Sequence, residues 1–289
     1  MLGSVVSVAK VVIFDSGVGG LSIFSELVRL MPEVSVVYAS DNAAYPYGDK
    51  SERYLKTRVK ACLDTLVQYH QPDMVVVACN TASTVVLPVL RAHFSIPVVG
   101  VVPAIKTAAQ VTNNGVIGLL ATPGTVTRVY TDDLIIRFAK HCDVIKVGSR
   151  VLVDLAEAKL RSQTVDLSRL KQELLPFEQA PVRPDTIVLG CTHFPLLLSE
   201  LQQISPSIHW VDSGSAIARR VRTLLEQQKK LKPEHAGIYQ AMFTANTTSV
   251  TQLKPYLFQL GFSALSILPI DEAFTVFSEP MAINAVTVS

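Results

Sequence analysis

Two cysteines stand in matching contexts. Cys191 follows Asp185-Thr-Ile-Val-Leu-Gly190 and precedes Thr192, His193, Phe194 and Pro195. Cys79 follows Asp73-Met-Val-Val-Val-Ala78 and precedes Asn80, Thr81, Ala82 and Ser83. Each apolar run reads as a buried strand, and Gly190 marks a tight turn. Ligands of open α/β sheets sit beyond the carboxyl ends of the strands, so both thiols would face a crevice. A thiol where a helix begins has its thiolate favoured, which predicts a pKa below the usual ~8.5. A thiolate can be a nucleophile, a metal ligand or a proton base. Either cysteine alone reads as a packing residue. The matched pair reads as two half-sites, because proton transfer by two bases needs two weak acids on opposite faces of one carbon.

Other chemistries fit less well. A cysteine protease needs one thiol with His and Asn or Asp partners, and no such pattern is evident. A metal site built from Cys79, Cys191 and His193 would lack local ligand pairs. Asp15-Ser-Gly-Val-Gly-Gly20 lies between an apolar run and a helical pattern, and Asp41 follows at the spacing of a ribose-binding acid. That suggests a dinucleotide site, but the third glycine of G-x-G-x-x-G falls at Ser22, and Asp15 would oppose the phosphates. A smaller anion on the loop amides fits better, with Asp15 holding an ammonium group or tuning a nearby base. The bland reading is a tight turn. Tyr45-Pro46-Tyr47-Gly48 could cover the crevice and offer the Gly48 amide. Ala121-Thr122-Pro123-Gly124-Thr125 could do the same from the other side. Cys62 and Cys142 read as packing residues. His70, His93, His141, His209 and His235 read as surface or capping residues.

The positioning elements alternate between strand and helix. Strands are expected at 11–14, 34–39, 74–78, 98–101, 115–120, 143–147, 185–189, 209–211, 238–245 and 265–269. Helices are expected at 21–31, 51–69, 81–93, 126–139, 152–160, 167–175, 194–204, 215–230 and 250–260. This alternation predicts an α/β fold of parallel sheets flanked by helices. The two related cysteine strands predict two similar lobes with the site in the crevice between them. The first lobe would comprise 1–105 plus 213–289 and carry Cys79. The second would comprise 106–212 and carry Cys191, with the crossover near Pro103 to Asn114. The final fifteen or so residues show no period and are expected to be disordered.

Composition sets the bounds. The chain has 289 residues, 49% of them apolar and 17% charged, so a sizeable core is expected. A net charge of +2 from 26 basic and 24 acidic side chains does not suggest nucleic-acid binding. Four cysteines without a C-x-x-C pair do not form a disulfide framework. No signal peptide or membrane-spanning run is evident, so a cytoplasmic protein with reduced thiols is expected.

Asp15-Ser16-Gly17, Pro46-Tyr47-Gly48, Cys79-Asn80-Thr81-Ala82-Ser83, Gly190-Cys191-Thr192-His193-Phe194-Pro195 and Asp212-Ser213-Gly214, in this order, resemble the glutamate racemases of the cofactor-independent Asp/Glu racemase superfamily. The likeness runs from about Val11 to Arg222. Phe194 stands where many members carry Tyr. The resemblance implies interconversion of L- and D-glutamate without cofactor or metal, supplying D-glutamate for peptidoglycan, and a homodimer. It implies Cys79 and Cys191 as the two catalytic bases, assisted by Asp15, Glu157 and His193. Asp15, Ser16, Tyr47, Gly48, Asn80, Thr81, Thr122, Thr192 and His193 match positions near bound substrate. Competing readings are a racemase for aspartate or another amino acid, a nucleotide-dependent oxidoreductase using Gly17 to Gly20, and a non-catalytic binding protein.

Overall fold

The structure, a computed structural model, describes residues 8–231 and 236–270. His235 and the final fifteen residues lie outside the described residues. The chain first lays down β1 (Lys10–Asp15), α1 (Leu21–Leu30), β2 (Ser35–Ser40), α2 (Glu52–His70), β3 (Met74–Val77), α3 (Asn80–His93) and β4 (Val98–Gly100). It continues with α4 (Ile105–Val111), β5 (Val116–Ala121), α5 (Pro123–Val126), α6 (Val129–Phe138), β6 (Asp143–Gly148), α7 (Val151–Leu160) and α8 (Leu167–Glu178). It ends with β7 (Thr186–Leu189), α9 (Leu198–Ile204), β8 (His209–Val211), α10 (Gly214–Gln227), β9 (Tyr239–Phe243), α11 (Thr248–Gln259) and β10 (Phe262–Ile267).

The strands form two parallel sheets. One has the order β10-β9-β2-β1-β3-β4 and the other β6-β5-β7-β8. Central strands of parallel sheets are covered on both faces and read as continuous apolar runs. Every residue of β3 is accordingly buried, as is every residue of β5 and β7. Side chains still alternate between faces. Val11 and Ile13 of β1 join the core formed with α1, α10 and α11, while Val12 and Phe14 join the opposite core with α2 and α3. In the second sheet, Leu120, Ile187 and Leu189 face α7 and α8, and Ile117, Leu119 and Val188 face α4 and α6.

Local chemistry sets the helix ends. Ser51 caps α2 by accepting the Tyr54 amide, and Gln71 closes that helix at φ 44°. Asp166 caps α8 and Thr247 caps α11 in the same way.

Three expectations change. The 103–114 crossover contains the helix α4. The helix expected over 126–139 begins only at Val129, because Arg128 has extended backbone, and the loop expected at 121–125 carries the short helix α5. The helix expected over 194–204 opens with a 3₁₀ turn, Phe194–Leu197. There the Leu196 amide donates to the His193 carbonyl at 3.1 Å, the tighter pattern of that turn.

The first lobe also contains a buried ion pair. Asp41 is fully buried and accepts from Arg58 Nε at 2.9 Å and Nη2 at 2.7 Å. Asp41 also accepts from Tyr47 Oη at 2.6 Å and Thr244 Oγ1 at 2.8 Å. Arg58→Met would strand that carboxylate. The expected loss is about 3–5 kcal/mol of stability, seen as a lower urea midpoint.

Candidate active site

The carboxyl ends of β1 and β3 meet those of β5 and β7 at the crevice between the lobes. A cavity of about 160 Å³ lies there. Sites for drug-sized ligands run to ~300–1,000 Å³, so this one suits a single small metabolite. Both thiols line it. Of the other residues named from sequence, Asp15, Ser16, Tyr47, Gly48, Asn80, Thr81, Thr122, Thr192 and His193 also line it. Glu157 does not, and instead stands behind His193.

Cys79 sits at the N-terminus of α3 on extended backbone. Ser16 Oγ lies 3.7 Å from its sulfur and 3.4 Å from Asp15 Oδ1. Asp15 is fully buried at the end of β1. Its carboxylate accepts the Ser16 amide and the Gly20 amide, each at 2.6 Å. Burial raises the Asp15 pKa, against the opposing pull of His193 and those two amides. Burial also pushes the Cys79 thiol well up, the Asp15 charge adds to this, and hydrogen bonds from Ala82 and Ser16 offset only part. The expected depression by the helix N-terminus is therefore reversed for Cys79, because desolvation outweighs the favourable amides.

Cys191 has a different backing. His193 Nδ1 lies 3.7 Å from its sulfur, and His193 Nε2 lies 2.9 Å from Glu157 Oε1. Helix α7 packs against the Phe194–Leu197 turn and so sets Glu157 beside His193. Burial opposes charge on His193, but its hydrogen bonds to Cys191 and Glu157 and the charges of both prevail, and the His193 pKa rises well above its usual value. For Glu157, burial is likewise outweighed by His193 and Arg161, and its pKa falls.

Three of the five amides from Ser16 to Gly20 are already engaged. The Ser16 and Gly20 amides go to Asp15, and the Val18 amide donates to Glu157 Oε1 at 3.3 Å. A methyl group on Gly17 would lie 2.8 Å from Glu157 Oε1, and one on Gly19 would meet the His193 ring. These glycines let backbone approach the second lobe closely. Among the described residues, no three His, Cys, Asp or Glu side chains converge to hold a metal ion, Cys79, Cys191 and His193 included.

Donors line the remaining walls. Asn80 Nδ2 is buried without a partner, a donor that a ligand oxygen would satisfy. Thr81 Oγ1 meets Thr122 Oγ1 at 3.1 Å and Thr125 Oγ1 at 3.3 Å, joining the lobes. The Tyr47 ring lines the cavity, but its hydroxyl donates to Asp41. Beyond the place of Thr125 in the 121–125 loop, the sequence gives no site role to Thr125, Arg150 or Arg161. Thr125 is three residues beyond Thr122, the spacing of a helix cap. Arg150 pairs with Asp49 across the lobes at 2.9 Å, and nothing local marks it. Arg161 follows Glu157 by one helical turn, a readable ion-pair spacing.

Fold and cleft define an α/β enzyme with its reactive groups between two lobes. Residues 19–221 match the Asp/Glu/hydantoin racemase family. The chain belongs to that family and is a racemase. It is 51% identical over 262 residues to the glutamate racemase of Salmonella enteritidis, covering 90% of this chain and 92% of that protein. It is 48% identical over 263 residues to the glutamate racemase of Pectobacterium carotovorum, covering 90% and 91%. The crystal structure of Escherichia coli glutamate racemase in complex with L-glutamate and the activator UDP-MurNAc-ala superposes with a TM-score of 0.86 at 48% identity. That match covers 92% of this chain and all of that one.

Gly19→Ala would displace the His193 ring. A shift on the order of 1 Å in a reacting group costs about 10²-fold, so kcat should fall by about that factor while circular dichroism stays unchanged. The His193–Glu157 pair also makes stability depend on pH. A histidine raised above its unfolded value of about 6.5 contributes fully below that pH and loses the contribution as pH rises through the folded value. A glutamate depressed below about 4.3 contributes above that pH and loses the contribution as pH falls. Glu157→Gln should therefore lose most stability between about pH 4.3 and 6.5. The urea-midpoint deficit should be larger at pH 5.5 than at pH 9.

Proposed function

We propose that this protein is a glutamate racemase that moves the α-proton between two thiols. The observation that carries this reading is one small cavity lined by Cys79 and Cys191 from opposite lobes, each backed by its own polar group. The thiolate of one cysteine takes the Cα proton and becomes a thiol. The electron pair stays on the substrate as a carbanion. The opposite thiol then gives its proton to the other face and becomes a thiolate. No bond between heavy atoms changes and no electrons leave the substrate, so the chemistry calls for no redox partner.

The α-proton of an amino acid is very weakly acidic. Positioned acid–base groups supply only ~10²–10⁴-fold. The rest must come from preorganised donors in a cleft poor in water. Asn80, Thr81, Thr122 and Thr192 are the donors assigned to the developing charge, with Ser16, Tyr47 and Gly48 shaping the substrate site. Asp15 supports Cys79 through Ser16, and Glu157 with His193 supports Cys191. The relatives named as glutamate racemases support glutamate as the substrate. By this reading the protein supplies D-glutamate for peptidoglycan in the cytoplasm, acts as a homodimer and comprises the lobes 1–105 plus 213–289 and 106–212. Among the described residues, no helix is long and apolar enough to cross a membrane.

The test is proton NMR of L-glutamate with the protein in D₂O, without added cofactor, beside L-aspartate. Loss of the glutamate Cα–H signal together with decay of optical activity to zero is the expected result. Exchange with aspartate alone would transfer the mechanism to that substrate. Cys79→Ser and Cys191→Ser should each lower racemisation by at least about 10²-fold. A single variant that still interconverts both enantiomers near the normal rate would exclude the two-base mechanism.

A further inference from the structure

Arg161 follows Glu157 by one turn at the end of α7 and does not line the cavity that holds the thiols. Its Nη2 donates to Glu157 Oε2 at 2.5 Å, and its Nη1 donates to the Glu157 carbonyl at 2.7 Å. Its Nε donates to the Ser249 carbonyl at 3.3 Å. Ser249 lies in the first turn of α11, a helix packed on the first-lobe core through Val250, Leu253 and Leu257. The other oxygen of Glu157 faces His193, and His193 faces Cys191. One carboxylate is thus held between a cation that does not titrate and an imidazole that does. The Cys79 half differs. Asp15 is held there by two backbone amides and by Ser16, with no Arg or Lys among its hydrogen-bond partners in the described residues.

We propose that Arg161 is a positioning residue for the Cys191 half of the reaction. It fixes the Glu157 carboxylate against His193 and, through Ser249, ties this relay to the first lobe. The inference rests on the two-thiol reading above and adds a residue that acts through Glu157 and His193 without touching substrate. Hydrogen-bonded chains polarise one another in a buried site, so loosening one end weakens the proton transfer at the other.

Isotope effects separate this role from a general loss of structure. The two enantiomers are equal in free energy, so any variant keeps equal kcat/KM in both directions. What changes is which proton transfer limits the rate. In Arg161→Met, the transfer at Cys191 slows. From the enantiomer whose α-proton Cys191 removes, the α-deuterium effect on kcat/KM should rise. From the other enantiomer, Cys191 is the donor in the second step. There the α-deuterium effect should fall and a solvent deuterium effect should replace it. The loss in kcat/KM should be about 10- to 100-fold, the range seen when groups that orient metal-bound histidines are removed. Arg161→Lys keeps the charge without the fork, so it should restore part of both rate and isotope effects. It also serves as the test variant if Arg161→Met does not fold by circular dichroism. Isotope effects that stay at wild-type values, or move the same way from both enantiomers, would overturn the proposal. A wild-type protein that leaves the Cα–H of both glutamate and aspartate intact in D₂O would remove the two-thiol reading, and this inference with it.

Discussion

Asp15 is a carboxylate with no exposure to water, at the end of the central strand of the larger sheet. An isolated buried carboxylate is costly unless its oxygens find donors. Here the following five residues bend back to supply them, through the Ser16 and Gly20 amides. That fold of the loop has two consequences. It places Ser16 Oγ beside Cys79, and it presses Gly17 and Gly19 against Glu157 and His193 of the second lobe. The same demand that keeps one carboxylate solvated therefore builds one thiol's environment and sets the approach of the other lobe.

The two thiols are matched in position and unmatched in surroundings. Cys79 is reached through a hydroxyl beside a buried carboxyl, and its environment favours the neutral thiol. Cys191 is reached through an imidazole, a carboxylate and a guanidinium in series. A racemase must treat mirror-image substrates alike in overall rate, since their free energies are equal. It need not do so with like groups. The chain meets the symmetric task with two different local solutions, one made mainly from backbone amides and the other from the side chains of His193, Glu157 and Arg161.

The strand–helix alternation was legible because both periodicities are local. Buried runs such as Met74–Val77 and Ile187–Leu189 stand out against amphipathic helices such as α1 and α10. The misread segments were those where local signals compete. The short helix α4 is only seven residues long. Arg128 interrupts a pattern that reads as one continuous helix. Phe194 begins a 3₁₀ turn that apolar spacing alone does not distinguish from α-helix. The Cys79 thiol is pushed up rather than down for a similar reason. A helix N-terminus is visible in a sequence, whereas burial of the thiol beside the Asp15 carboxyl is not.

The sequence by itself determined the class of fold, the two strand-end cysteines and most of the polar residues around them, because each depends on neighbours within a few positions along the chain. Only the tertiary structure decided that the glycine loop spends amides on Asp15 and Glu157, that the Tyr47 hydroxyl is committed to Asp41, and that Arg161 reaches Ser249 of the first lobe. Those contacts join positions as far as 139 residues apart. What fixes them is the satisfaction of buried charge across the lobes, which no local pattern records.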